Sequence, residues 1–247
     1  MPTIQRGDAT IYFEEHGSGF PLLLLAPGGL NSTVDFWARM PLNPIEAFST
    51  DGFRVIAMDQ RNAGRSSGPL DTSDPWKMYA EDQLAVLDHL GIDQAMAIGS
   101  CIGCSFIFEL IEQTPRRIVA AVPMQPIGHD ETNAGVFGPE MWTPWGQNLI
   151  DKGARFDLET LDAFGHAMFD PGFVFSVSRD FLKSIQTPLL LLYGNDRAHP
   201  RGVSVEVAGL LPNVETVERW RDADVVPDVI ERIRAFLKTH ATASTTA

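Results

Sequence analysis

Residues 97–106 read A-I-G-S-C-I-G-C-S-F, and the two glycines in this stretch restrict the fold more than any other feature of the chain. A strand that turns sharply into a helix and lifts one side chain out at the apex needs nearly bare positions two before and two after that residue. Centred on Cys101, those positions are Gly99 and Gly103. Centred on Ser100 they are Ile98 and Ile102, on Cys104 Ile102 and Phe106, and on Ser105 Gly103 and Ile107. Only Cys101 fits such a turn, with a strand ending before it and a helix starting after it.

Around this turn strand-like and helix-like segments alternate, which is the pattern of an α/β fold with a mainly parallel, twisted sheet flanked by helices. R-V-I-A-M-D (54–59), A-M-A-I-G (95–99), I-V-A-A-V-P (118–123) and P-L-L-L-L-Y (188–193) read as core strands, and V-E-T-V-E (214–218) as a shorter one. Residues 9–15 and 21–26 read as a hairpin across H-G-S-G-F. Ala80, Leu84, Leu87 and Leu90 recur at helical spacing over 76–90, with Gly91 where a C-cap is wanted. Further helices are expected from about Gly103 to Gln113 and over 227–238. Residues 126–186 break the alternation and carry Phe137, Trp142, Trp145, Phe164, Phe169 and Phe175 among other aromatics. They are expected to form a small helical cap over a core made by 1–125 and 187–241, with most aromatics fixing the cap and some facing an apolar pocket. The tail at 242–247, T-A-S-T-T-A, is expected to be disordered.

Composition excludes several functions. A chain of 247 residues suits one α/β domain with an insertion and needs no second domain. Its formal net charge of -13 supplies no basic stripe, so neither nucleic acid nor an anionic membrane is an expected partner. No apolar run approaches the roughly 18 residues of a membrane span. The opening M-P-T-I-Q-R-G-D lacks the features of a signal peptide, so the expected location is the cytoplasm, with both cysteines reduced. A metal site would need further soft ligands at suitable spacing, and none is present; no cofactor is expected.

The chain resembles the α/β-hydrolase superfamily along essentially its whole length. The matching pieces stand in order: A-P-G-G-L after a buried strand, M-D-Q-R-N-A-G-R-S-S where the family often reads D-x-R-G-x-G-x-S, the turn G-S-C-I-G, an insertion, and G-N-D-R-A-H-P after a late strand. The resemblance implies a nucleophile at Cys101, which is usually serine in the family; a cysteine here is similar to dienelactone hydrolases, while the rest looks more like capped members that cleave esters and C–C bonds. A thiol at a helix N-terminus is physically sensible, because the dipole and free N–H groups favour the thiolate. The resemblance further implies an oxyanion hole from the N–H groups of Ile102 and Gly29, with Leu30 as the neighbour if the loop register slips, and a catalytic acid at Asp196.

The family histidine does not follow the last strand. Counting back from Pro227 leads to Trp220, and no histidine lies between Pro200 and Phe236. His199, three residues past Asp196, is a candidate to pair with Cys101; His129 in Q-P-I-G-H-D is another. A water or a carboxylate such as Asp222 or Asp130 is the third option.

These observations imply a cysteine-dependent hydrolase of a small, mainly apolar ester, lactone or C–C diketone-like substrate, working through an acyl-cysteine. An acyltransferase of the same fold stays open, as does a ligand-binding protein that has lost the usual histidine. C-I-G-C also fits a C-x-x-C redox pair, but that reading leaves Gly99 and Gly103 unexplained. The sequence leaves open monomer or homodimer, and whether Cys104 protects Cys101 as a disulfide or simply packs.

Overall fold

The computed structural model describes residues 2–243. Eight strands form one sheet in the order β1-β2-β4-β3-β5-β6-β7-β8. They are β1 (Thr3–Arg6), β2 (Ala9–Gly17), β3 (Phe20–Leu25), β4 (Phe53–Met58), β5 (Ala95–Ser100), β6 (Ile118–Met124), β7 (Leu189–Leu192) and β8 (Val214–Val217). Pairing is antiparallel at β1/β2 and β2/β4 and parallel everywhere else. This is the mainly parallel α/β fold expected.

The expected hairpin across H-G-S-G-F does not form. β4 lies between β2 and β3 and takes Phe13 to Gly17 on one side and Phe20 to Leu24 on the other. The hairpin at this end joins β1 to β2 instead. Leu22 to Leu25, all fully buried, must be covered on both faces, so this run belongs in the sheet interior rather than in a ribbon with one wet side.

Both faces of the sheet are covered. Alternate residues of each central strand enter opposite cores: Leu23, Leu25, Ile56 and Ala97 join one, and Leu22, Leu24, Val55 and Ile98 the other. The first core receives Tyr79 and Leu87 from α2 (Pro75–His89) and Phe106 and Leu110 from α3 (Ile102–Gln113). The second receives Phe48 from α1 (Pro44–Phe48) and Ile233 and Leu237 from α8 (Val226–Ala243). Asp74 caps α2 by accepting from the Lys77 amide at 3.1 Å, and Gly91 sits at φ +66° just past its end. Residues 242 and 243 continue α8 rather than beginning a tail; 244–247 lie outside the described residues.

Between β6 and β7 the chain leaves the sheet for α4 (Pro139–Asp151), α5 (Leu158–Phe169) and α6 (Arg179–Ser184). Trp142 stacks on Phe169 with ring centroids 6.0 Å apart, and Trp145 on Phe164 at 5.9 Å, so aromatic pairs bind α4 to α5. Trp76 of α2 donates from Nε1 to the Met168 carbonyl at 3.0 Å, which ties α5 to the core. Helix α7 (Arg201–Leu210) links β7 to β8. No helix of the described residues is long and apolar enough to cross a membrane.

Candidate active site

Cys101 stands alone between β5 and α3 at φ 59°, ψ -119°, a conformation that costs an L residue on the order of 1–3 kcal/mol. The surroundings enforce it. Its N–H donates to the Met124 carbonyl at 3.0 Å, and its carbonyl accepts from the Cys104 amide at 3.0 Å. Gly99 lies against the Gly103 carbonyl and Gly103 against the Leu25 carbonyl, leaving no room for a Cβ at either position. The side chain at 101 is thereby held at the start of α3, partly exposed.

Two backbone amides converge on the sulfur, those of Ile102 and Gly28. Ile102 is one of the residues expected to supply an oxyanion-hole amide; on the loop after β3 the amide beside the sulfur is that of Gly28, the neighbour of the expected Gly29 and Leu30. Gly28 sits at φ +119°, immediately before a 3-10 turn at Gly29–Asn31, and this left-handed residue brings its own N–H to the sulfur. Gly29 and Leu30 instead form part of the wall of the cavity into which Cys101 opens.

The third group at the sulfur is His199. Asp196 and His199 share one turn after β7, in which each backbone N–H donates to the other's carbonyl at 3.2 and 3.1 Å. His199 Nδ1 lies 2.7 Å from Asp196 Oδ1, which also accepts the amides of Ala198 and His199 at 3.0 Å. With Nδ1 committed, Nε2 is the ring atom left to face Cys101, and it is buried without a partner of good hydrogen-bond geometry. The Cys101–His199 contact is loose, as such pairs often are without substrate. Gly194 packs against His199 so closely that a Cβ there would collide with it, and its N–H donates to Ser204 Oγ at 2.9 Å.

Burial works against charge at all three residues, and the contacts overcome it. Burial pushes the Cys101 thiol up; the His199 ring and then the two amides bring it below its ordinary value. Burial pushes His199 down, while Cys101 and Asp196 hold it above the ordinary imidazole range. Burial raises Asp196, and His199 with Arg221 holds it low. Both shifts run in the direction of a thiolate beside an imidazolium. Cys104 is the opposite case, since burial and the neighbouring Cys101 raise its thiol well above normal. It points away from the cavity, towards the carbonyls of Gly99 and Met124 at 3.4 and 3.1 Å.

The cavity at Cys101 has a volume of about 250 Å³. Leu30, Ile127, Val136, Phe137, Met141 and Phe169 form its apolar wall, Asn31 lies at its edge, and no charged side chain lines it.

The remaining candidates lie elsewhere. The His129 ring packs edge-on between Phe137 and Phe175, at 5.4 and 5.1 Å, and does not border the cavity. Asp130 is occupied by Thr132, and Asp222 by Arg219. Trp220 is buried and donates from Nε1 to the Tyr193 carbonyl at 2.7 Å, which makes it an anchor for the segment after β8. The next residue, Arg221, reaches Asp196 Oδ2 at 2.9 Å. Sequence reasoning singled out Trp220 and Asp222 but not Arg221 between them, and it met Gly28 only as part of A-P-G-G-L, without a role. No group of three or more His, Cys, Asp or Glu able to hold a metal occurs among the described residues.

The pattern of the alpha/beta hydrolase fold family matches residues 21–160, more than half of the chain. The chain belongs to the α/β-hydrolase fold family. Among curated members of it, RutD of Azorhizobium caulinodans, provisionally named a carbamate hydrolase, is 35% identical over 118 residues. That match covers 48% of this chain and only 42% of RutD. The 2-hydroxymuconate semialdehyde hydrolase of Pseudomonas putida is 26% identical over 235 residues, covering 81% of this α/β-hydrolase chain and 79% of that protein. Among solved α/β-hydrolase structures, the meta-cleavage product hydrolase CumD of Pseudomonas fluorescens superposes with a TM-score of 0.72 over 99% of this chain and 98% of its own, at 17% identity.

Proposed function

We propose that this chain is a cysteine-dependent hydrolase of small, neutral esters or lactones, with C–C bonds of the β-diketone type as a related class. The observation that carries the reading is Cys101 held in a strained conformation at the start of α3 and opening into an apolar cavity, with the hydrogen-bonded His199–Asp196 pair as its neighbour. In this reading the Cys101 thiolate attacks the substrate carbonyl carbon. The oxygen takes up negative charge, and in this reading the N–H groups of Ile102 and Gly28 beside the sulfur hold it. Collapse breaks the bond to the leaving group, which takes the proton from the His199 imidazolium and departs, leaving an acyl-cysteine. His199 Nε2, now neutral, removes a proton from a water that attacks the thioester; the second intermediate releases the acid and restores the thiolate. Asp196 keeps the proton of His199 on Nδ1 throughout.

The wall of the cavity supports the choice of substrate. Without a lysine or arginine on it, a substrate carboxylate would be desolvated with no partner, so charged substrates are disfavoured. Residues 126–186 serve as the cap of this site, contributing Val136, Phe137, Met141 and Phe169 to the wall over Cys101. The relatives named for hydrolysis of carbamates and of a semialdehyde support hydrolysis as the reaction class.

The test is to mix the protein with p-nitrophenyl butyrate or δ-valerolactone, quench in acid within seconds and map peptides by mass. The reading expects an acyl group on Cys101 that forms and then decays. No adduct at any time, in protein whose Cys101 is still alkylated by iodoacetamide, overturns it.

A further inference from the structure

The segment after β8 supplies the histidine in the family pattern that this chain resembles, and here it supplies an arginine against the acid instead. The two oxygens of Asp196 are served unequally. Oδ1 accepts three donors, all from its own turn: the amides of Ala198 and His199 and the His199 ring. Oδ2 accepts one, Arg221 Nη1 at 2.9 Å, and has no other partner among the described residues. The arginine is itself held in place. Trp220 beside it is buried and hydrogen-bonded to the Tyr193 carbonyl at the end of β7, and the Arg221 guanidinium carbon lies 5.2 Å from the centre of the Trp220 ring.

We propose that Arg221 is a positioning residue of the site: by holding Oδ2 from the far side, it keeps Oδ1 aimed at His199 Nδ1 and so keeps Nε2 aimed at Cys101. The proposal rests on the acyl-cysteine reading and assigns that reading's missing support. The physical argument is geometric. A carboxylate on a short side chain can rotate about one bond away from the plane that serves His199, and the turn 196–199 offers donors to only one of its oxygens. A charged clamp on the second oxygen removes that freedom. An arginine suits this task because its planar fork stays charged at every relevant pH. As a mere surface ion pair, 35% exposed on the arginine side, the contact would contribute little to folding, so its loss should show at the site before it shows in stability.

The test uses the full chain in four forms: wild type, Arg221→Gln, Arg221→Lys and Asp196→Asn. The rate of Cys101 alkylation by iodoacetamide is followed from pH 5 to 10 by peptide mass mapping, with thermal midpoints as a control for folding. The loosened pair in Arg221→Gln should move the midpoint of the alkylation profile upward by about half to one pH unit, with a thermal midpoint near that of wild type. Lysine should recover most of that shift, since it restores the charge without the fork. An Arg221→Gln profile that overlays wild type overturns the proposal, and so does a shift that lysine leaves wholly uncorrected. Asp196→Asn separates the two levels of the argument. If it moves the profile and Arg221→Gln does not, the Cys101–His199–Asp196 reading stands and Arg221 is only a surface contact. If it leaves the profile in place, the underlying reading falls with the proposal.

Discussion

Gly99 and Gly103 touch through the turn they flank: a side chain on the first would run into the carbonyl oxygen of the second. On its other side Gly103 rests on the Leu25 carbonyl, so β3, β5 and α3 meet at backbone distance beneath Cys101. Gly99→Ala must push strand and helix apart. It should cost about 2–4 kcal/mol of stability and lower the thermal midpoint by roughly ten degrees. Gly209→Ala in α7, where nothing lies within 4 Å of the new methyl, should be neutral or slightly stabilising. Equal midpoints for the two variants would remove the packing argument.

The pH profile of Cys101 follows from its partners. Its thiol titrates below the ordinary value of 9.0 because His199 and the amides of Ile102 and Gly28 outweigh burial. The thiolate is therefore present over a window that begins below pH 9 and is lost as the pH falls through the lowered value. Iodoacetamide should reach half its maximal rate at Cys101 below pH 9 in the folded protein and near the ordinary value in urea. Cys104, buried and raised, should stay unlabelled until the chain unfolds.

In the proposed reaction, replacing His199 by alanine removes both the partner of the thiolate and the base for water. Acylation of Cys101 should slow, and deacylation should slow more, by about 10²-fold or greater. Rapid quench followed by mass mapping should then find an adduct that outlasts the wild-type one. An adduct that decays at the wild-type rate would assign the base to another group.

Met141, from α4, forms part of the cavity wall without being fully buried. Met141→Ala should enlarge the space and shift preference towards longer acyl chains. Each added methylene that finds apolar contact is worth about 1–3 kcal/mol, so kcat/KM for a hexanoyl over an acetyl ester should rise by about tenfold or more. No change in that ratio would place the acyl group outside this cavity.

Glu109, on α3, is buried to 4% exposure, and burial with the nearby Glu112 and Asp74 pushes its carboxyl up to about 7. Between the ordinary value of 4.5 and that point, the folded chain keeps a proton that the unfolded chain has lost, so stability falls as pH rises. Glu109→Gln removes the effect. Its thermal midpoint should match wild type near pH 4 and exceed it at pH 8; a constant difference across that range would contradict the sign.

The parts of this structure that follow from steric exclusion were legible in the sequence. Two glycines at fixed spacing single out Cys101 because a backbone collision does not depend on distant residues, and the apolar runs at 95–99 and 118–123 announce strands covered on both faces. Strand neighbours were not legible. Leu22 to Leu25 reads as an apolar run whether it pairs with β2 or β4, and only the complete sheet decides. Which loop amide comes to the sulfur was hidden for a related reason, since the three consecutive amides of G-G-L are chemically alike as backbone and the left-handed conformation of Gly28 depends on the folded loop. Arg221 was invisible because its partner is 25 residues away and its neighbours look like solvent-exposed loop.

Asp196 and His199, the acid and base of the proposed reaction, lie within a four-residue turn whose backbone closes on itself. In evolutionary terms that is a short path. Where the two functions sit on separate segments, moving one of them requires a new loop of suitable length to arrive at the nucleophile. Here the backbone that carries Asp196 already delivers position 199 towards Cys101, so under the proposed reading one codon is enough to create the pair or erase it.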